Sequence, residues 1–239
     1  MKNRSLIVVL LVLGVGAALA CYFLMNSDGS SGSTTTAASS VAPKTDPVTD
    51  VASLKAKAEA GNPSAQYDLA RLYTQPAKQM VNYKEAVRLL QLASDKGNRD
   101  AMALLGELNA VGQGIHKDET NAVMLYRKAA ELGSVAGQYD LAYAYARGLG
   151  VERDATNAAK WYQAAAEGGD PMAQFDLGQR YEKGLGVSSN YVEAYKWLSL
   201  AVAQGQTEAE APLKKLKAKL TESQLVQAVE RVNSFVPRK

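Results

Sequence analysis

The sequence predicts an all-α fold: a superhelical solenoid of antiparallel helix hairpins in 36-residue repeats, closed by terminal capping helices. Three observations predict it. Gly61, Gly97, Gly133, Gly169 and Gly205 follow one another at intervals of thirty-six residues. Two apolar columns keep the same register, Leu69, Leu105, Leu141 and Leu177 in one and Ala86, Ala122, Ala158 and Ala194 in the other. Residues that cap helices recur twice in each period. Self-similarity at a fixed period of this length marks stacked units, each too small to bury its apolar face alone.

The first segment, MKNRSLIVVLLVLGVGAALACYFLM, has Lys2 and Arg4 and then no charge from Ser5 to Met25. As a helix that stretch spans about 31 Å, against a hydrocarbon core of about 30 Å. Residues 1–25 are therefore expected to be an N-terminal transmembrane anchor or export signal. The next basic residue is Lys44, so the charge bias leaves the N-terminus in the cytoplasm and places the rest outside, which for a bacterial chain is expected to mean the inner membrane and the periplasm. Two other outcomes stay open: cleavage after Ala18-Leu19-Ala20, giving a soluble periplasmic protein, or lipidation of Cys21, giving a lipoprotein. Residues 26–47, rich in Ser, Thr and Gly, have little to bury and read as a flexible linker.

Residues 48–60 read as an N-terminal capping helix, and residues 61–205 as four repeats. In the first repeat, helix A is expected near 63–74 and helix B near 83–95. Asn62, Asn98, Ser134 and Asp170 stand where the A helices begin, and Asn82, Asp118, Asp154 and Asn190 where the B helices begin; each is a residue type whose side chain accepts from free N–H groups of a first turn. Pro63 and Pro171 fit the first helical position. The glycine column falls just past helix B, at a position that favours left-handed backbone. Within helix A, Ala65, Leu69, Leu72 and Tyr73 share a face; within helix B, Ala86, Leu89, Leu90 and Ala93 do so. Residues 206–239 read as C-terminal capping helices, with Thr221 and Gln224 forming a capping box and Leu225, Val229 and Val232 an apolar stripe.

Repeat three reads GQYDLAYAYARGLGVERDATNAAKWYQAAAEGG and repeat four AQFDLGQRYEKGLGVSSNYVEAYKWLSLAVAQG. Over residues 61–205 these motifs resemble the Sel-one-like repeats, relatives of the tetratricopeptide repeats. The resemblance implies a protein-binding solenoid. It also implies two kinds of role: organising envelope machinery as a scaffold, or neutralising a secreted effector or enzyme as an immunity protein. The paired cysteines of some secreted relatives are absent.

Gly148-Leu149-Gly150 recurs as Gly112-Gln113-Gly114 and Gly184-Leu185-Gly186. Each follows a helix, not a strand, and stands several residues before the next cap. It reads as a turn, not a phosphate loop. The Trp161-Tyr162 pair repeats on the core side of helix B. With Lys2 and Arg4 set aside, the basic and acidic residues balance to within one, which argues against nucleic acid as a partner. One histidine, His116, and one cysteine, Cys21, supply no metal set, and no nucleophile or acid/base pair has a defined setting. No enzyme activity, cofactor, metal or small-molecule substrate is expected.

The expected partner is a protein on the concave face, together with membrane contact through residues 5–25. Repeat two departs from its neighbours there. Ala103 replaces the ring of Tyr67, Tyr139 and Phe175; Asn109 replaces Tyr73, Tyr145 and Tyr181; Leu104 replaces Asp68, Asp140 and Asp176. One reading is repacking, with Met102 filling the space. The other is a notch for a partner's side chain, with Tyr143 at its rim and Asp140 and Asp176 among the expected protein-binding residues. Repeat one departs too: TQPAKQMVN stands where Gly-x-Gly is expected, and Pro76 should reshape that turn.

Overall fold

The structure, a computed structural model, describes residues 47–76 and 80–238. Among the described residues there are eleven α-helices and no strand. α1 (Pro47–Glu59) precedes four hairpins: α2 (Pro63–Thr74) with α3 (Tyr83–Asp95), α4 (Arg99–Val111) with α5 (Glu119–Glu131), α6 (Val135–Arg147) with α7 (Ala155–Glu167), and α8 (Pro171–Lys183) with α9 (Tyr191–Ala203). A short 3₁₀ turn, Thr207–Ala209, leads to α10 (Glu210–Lys217) and α11 (Glu222–Asn233).

The expected caps set the helix starts. At the A helices, the Ala65 N–H donates to Asn62 at 3.0 Å and the Ala101 N–H to Asn98 at 2.9 Å. At the B helices, the Asn121 N–H donates to Asp118 and the Asn157 N–H to Asp154, both at 2.9 Å. Those bonds hold the Asp154 carboxyl below its ordinary value. The backbone N–H of each B-helix cap also donates to the carbonyl of the A-helix tyrosine column, as Asp154 to Tyr145 at 3.0 Å, which fixes the hairpin angle. Repeat one keeps this bond, Asn82 to Tyr73 at 2.9 Å, although α2 ends on an extended Gln75 and not on a left-handed glycine.

Small residues bring the helices together. Ala86, Ala158 and Ala194 are fully enclosed and Ala122 nearly so, while Leu141 and Leu177 are inaccessible to solvent. Tyr162 is buried and meets Tyr139 edge to face at 5.7 Å, with the Arg180 guanidinium 4.8 Å above its ring. A glutamine column ties three of the four A helices to the helix before them. Gln66 donates to the Ala58 carbonyl and Gln174 to that of Ala166, both at 3.2 Å. Repeat two has Met102 in that column, packed with Ala103 and Ala129.

The Gly-x-Gly turns do more than reverse the chain. Gly150 has φ +65°, and a Cβ added there would lie 2.1 Å from the carbonyl oxygen of Glu119, the first residue of α5. At Gly186 the same atom would lie 1.9 Å from the carbonyl of Ala155, the first residue of α7. The second glycine therefore seats each turn against the backbone of the previous B helix, a contact that any side chain would block.

At the C-terminal end, α11 packs on α9. Ala228 is fully buried, with Leu225 and Val229 beside it, and Phe235 meets Trp197 at 5.4 Å. Arg231 pairs with Glu193, and Lys219 with Glu182 at 2.8 Å. The capping box of Thr221 and Gln224 is formed in both directions. Thr221→Ala is expected to weaken α11 by about 1 kcal/mol. Amide hydrogen exchange should quicken in α11 and stay unchanged in α2 to α5, because neighbouring repeats couple only pairwise.

The expected placement at a bacterial inner membrane, with the repeats in the periplasm, is corrected here. Among the described residues no helix is long and apolar enough to cross a membrane. The repeat helices have twelve or thirteen residues, about 20 Å of length against a core of about 30 Å, and each has only one apolar face. Residues 5–25, on which the expected span and membrane contact rest, lie outside the described residues, as does Cys21.

Candidate functional site

A groove of about 700 Å³ opens between α4 and α6, over the first turns of α5. α4 contributes one stripe at helical spacing, Leu104, Glu107, Leu108 and Val111; α6 contributes Tyr139, Asp140, Tyr143 and Ala144; Tyr126 of α5 lies at the back. The tip of the third-repeat turn, Leu149, and Met172 of α8 complete the rim. Val111, Tyr143, Leu149 and Met172 are exposed at 62%, 41%, 40% and 48%. Four neighbouring apolar side chains in water form a patch of the kind that marks binding surfaces, where a lone exposed one would not.

The repeat register explains why the groove is here. Leu104 and Asp140 occupy equivalent positions, as do Glu107 and Tyr143. Val111 stands where later repeats carry Arg147 and Lys183. Repeat two has thus lost an aspartate and a cation from its exposed stripe and gained two aliphatic groups. Gly106 lets the Tyr126 ring lie flat on α4, since a Cβ there would fall 2.6 Å from Cε1 of that ring.

The groove's charged groups, Glu107, Glu119 and Asp140, are all acidic. Burial pushes the Asp140 carboxyl up to about 8, with the nearby charges of Glu107 and Asp170 adding to the rise. Its Oδ2 is buried and has no hydrogen-bond partner. Glu107 stands at the mouth, more than a third exposed, yet the protein crowded around its carboxyl raises it above the ordinary glutamate value. The Tyr126 and Tyr139 hydroxyls are also raised, first by burial and then by neighbouring carboxylates.

Of the residues singled out in the sequence, Leu104, Asp140 and Tyr143 meet in this groove. Leu104 is half-buried, and Tyr143 stands at the rim. Ala103 is buried and borders a smaller adjoining recess of about 190 Å³ with Tyr67, Arg71 and Asp100. Asn109 lies elsewhere: it is 2% exposed, donates to the Leu105 carbonyl at 2.8 Å and accepts from Asn121 at 2.9 Å. Its amide closes the hairpin in place of a tyrosine and offers nothing to a ligand. Asp176 sits one repeat further on, outside the groove, where Arg180, the Tyr139 hydroxyl and Arg147 offset part of the rise that burial causes. Sequence reasoning missed Glu107, Val111, Leu149 and Met172. Only Val111 carried a readable signal, an apolar residue where the other repeats carry Gln75, Arg147 and Lys183. Among the described residues no group of three or more metal-ligating side chains comes together, and His116 is exposed in its turn.

The family pattern described as Sel1 repeat matches residues 63–98, 99–134, 135–170 and 171–206. The chain belongs to the Sel1 repeat family. This Sel1 repeat protein is 32% identical to a protective antigen present in uropathogenic Escherichia coli strains, whose structure displays an SLR fold. The match covers 82% of this chain but only 42% of that one, with a TM-score of 0.72. A Sel1 repeat protein from Oxalobacter formigenes is 27% identical over 79% of each chain, with a TM-score of 0.66. An immunity protein from Pseudomonas aeruginosa shares 21% identity over 78% of this chain and 75% of that one, at a TM-score of 0.49, too distant to speak to function. No curated protein matches the chain.

Proposed function

We propose that this Sel1 repeat protein is a non-catalytic protein-binding scaffold or adaptor, and that its partner docks on the concave A-helix face at the groove between α4 and α6. The observation that carries this reading is the exposed apolar rim of Val111, Tyr143, Leu149 and Met172 around a preformed groove. Burying such a rim against a partner removes apolar surface from water at about 25 cal/mol per Å². The preformed walls of packed helices lose little entropy in doing so. Leu104 at the wall and Tyr143 at the rim are the groups in the notch that a partner meets; Ala103 supports them from the adjoining recess, and Asp140 supplies the polar contact.

Leu104→Arg tests this. The arginine places a long charged side chain in the groove without touching the fully buried columns. Captured partner should fall at least tenfold when the variant full-length chain replaces the parent in a crosslinking pull-down from cells, while the melting temperature stays within a few degrees. Equal recovery by both chains would remove the groove from the account. One enzyme-like partner held at one to one would identify an inhibitor of that enzyme; several components recovered together would identify a scaffold.

A further inference from the structure

The four repeats allow one buried aspartate to be compared with its own equivalent. At Asp176 of α8 the positive charges of Arg180 and Arg147 and the hydroxyl of Tyr139 all favour the ionised carboxylate. Asp140 occupies the same position one repeat earlier. The residues equivalent to Arg180, Arg147 and Tyr139 are there Ala144, Val111 and Ala103. Two positive charges and a hydroxyl have been replaced by small or aliphatic side chains, and Ala144 and Val111 line the groove. The Asp140 carboxyl keeps its place with Oδ2 buried and unpaired. Among the described residues no cation stands with the charges that act on it; the groups facing it are Glu107 of α4 and Asp170 at the start of α8, both acidic. A buried polar atom without a partner costs free energy unless something supplies one.

We propose that the groove between α4 and α6 recognises a protein segment presenting an arginine side chain next to an apolar residue, the guanidinium bonding Asp140 and Glu107 and the apolar residue packing on Leu104, Val111 and Tyr143. This rests on the groove being the docking site. Arginine fits better than lysine because its planar fork presents several donors at once to two carboxyl groups. The stem of the arginine would lie along the aliphatic wall that repeat two acquired. An acidic segment would meet only like charge, and a wholly apolar one would leave the Asp140 and Glu107 carboxyl groups without a counter-charge.

The test uses the full-length chain and a displayed library of random twelve-residue peptides. Enriched peptides should carry an arginine with an apolar residue within two positions. A synthetic copy should bind the parent chain at least tenfold more tightly than the Asp140→Asn chain, which keeps the shape and removes the carboxyl group that an arginine would ionise. Replacing the peptide's arginine by citrulline, which is neutral and of the same size, should cause a similar loss. Peptides without a cation, or binding that survives both Asp140→Asn and citrulline, would overturn the arginine assignment. If that binding is still lost in Leu104→Arg, the groove remains the docking site for other chemistry. Binding indifferent to Leu104→Arg, or no enriched peptide at all, would overturn both.

Discussion

Gly150→Ala, like Gly186→Ala at the equivalent position, should destabilise the protein more than a methyl group added to its other turn glycines. Two costs combine at this position. A residue with a Cβ at φ +65° pays about 1–2 kcal/mol for left-handed backbone. The Cβ must also displace the Glu119 carbonyl, which lies 2.1 Å away on the first residue of α5, and overpacking against backbone costs a further 1–3 kcal/mol or so. The total is about 3 kcal/mol, or a fall in melting temperature on the order of 10 °C for a chain of this size. Gly148→Ala separates the two terms. Gly148 has φ +74°, but its nearest neighbour would be the Arg153 Cβ at an ordinary 3.5 Å, so that variant pays only for the backbone. Thermal melting of both should show the larger drop for Gly150→Ala. Equal drops would mean that the turn does not bear on α5 as described.

The second large effect is a pH dependence at Asp140. In the unfolded chain an aspartate releases its proton near pH 3.9; in the fold, burial holds that proton until about 8. Between those values the folded state binds more protons than the unfolded one, so stability falls as pH rises through this window. Below pH 4 Asp140 is protonated in both states and costs nothing extra. Above pH 8 it is ionised in both, and the full cost of the buried charge is present. Asp140→Asn removes this contribution and no other. The variant should match the parent at pH 4 and exceed it by about 3 kcal/mol at pH 9, water in the open groove meeting part of the cost. Melting curves at the two pH values decide it: a constant difference between the chains would show that Asp140 titrates as an exposed carboxylate.

The fold was legible because its causes are local and repeated. A glycine column, two cap columns and two apolar columns each state a backbone or packing requirement, and thirty-six residues later they state it again. The groove was legible only where repeat two broke a column, as at Leu104. The sequence could not show that Asn109 would turn inward to Asn121, since an amide replacing a phenol is equally consistent with an open notch. Nor could it show that the second glycine of each turn touches the previous repeat, because a turn and a contact both ask for glycine. Glu107 stands in a column that holds Arg71, Tyr143 and Gln179 in the other repeats. A variable surface column gives no signal, and its charge matters only through the wall that stacking places opposite.

The claim that a protein docks between α4 and α6 is tested most directly by photocrosslinking in living cells. Benzoylphenylalanine would be introduced in place of Tyr143 at the rim and, as a control, in place of Arg88, an exposed residue on helix B of the first repeat. The account predicts a discrete crosslinked protein from position 143, lost when Leu104→Arg is added, and none of that species from position 88. The same species from both positions, or a crosslink at 143 indifferent to Leu104→Arg, would contradict it.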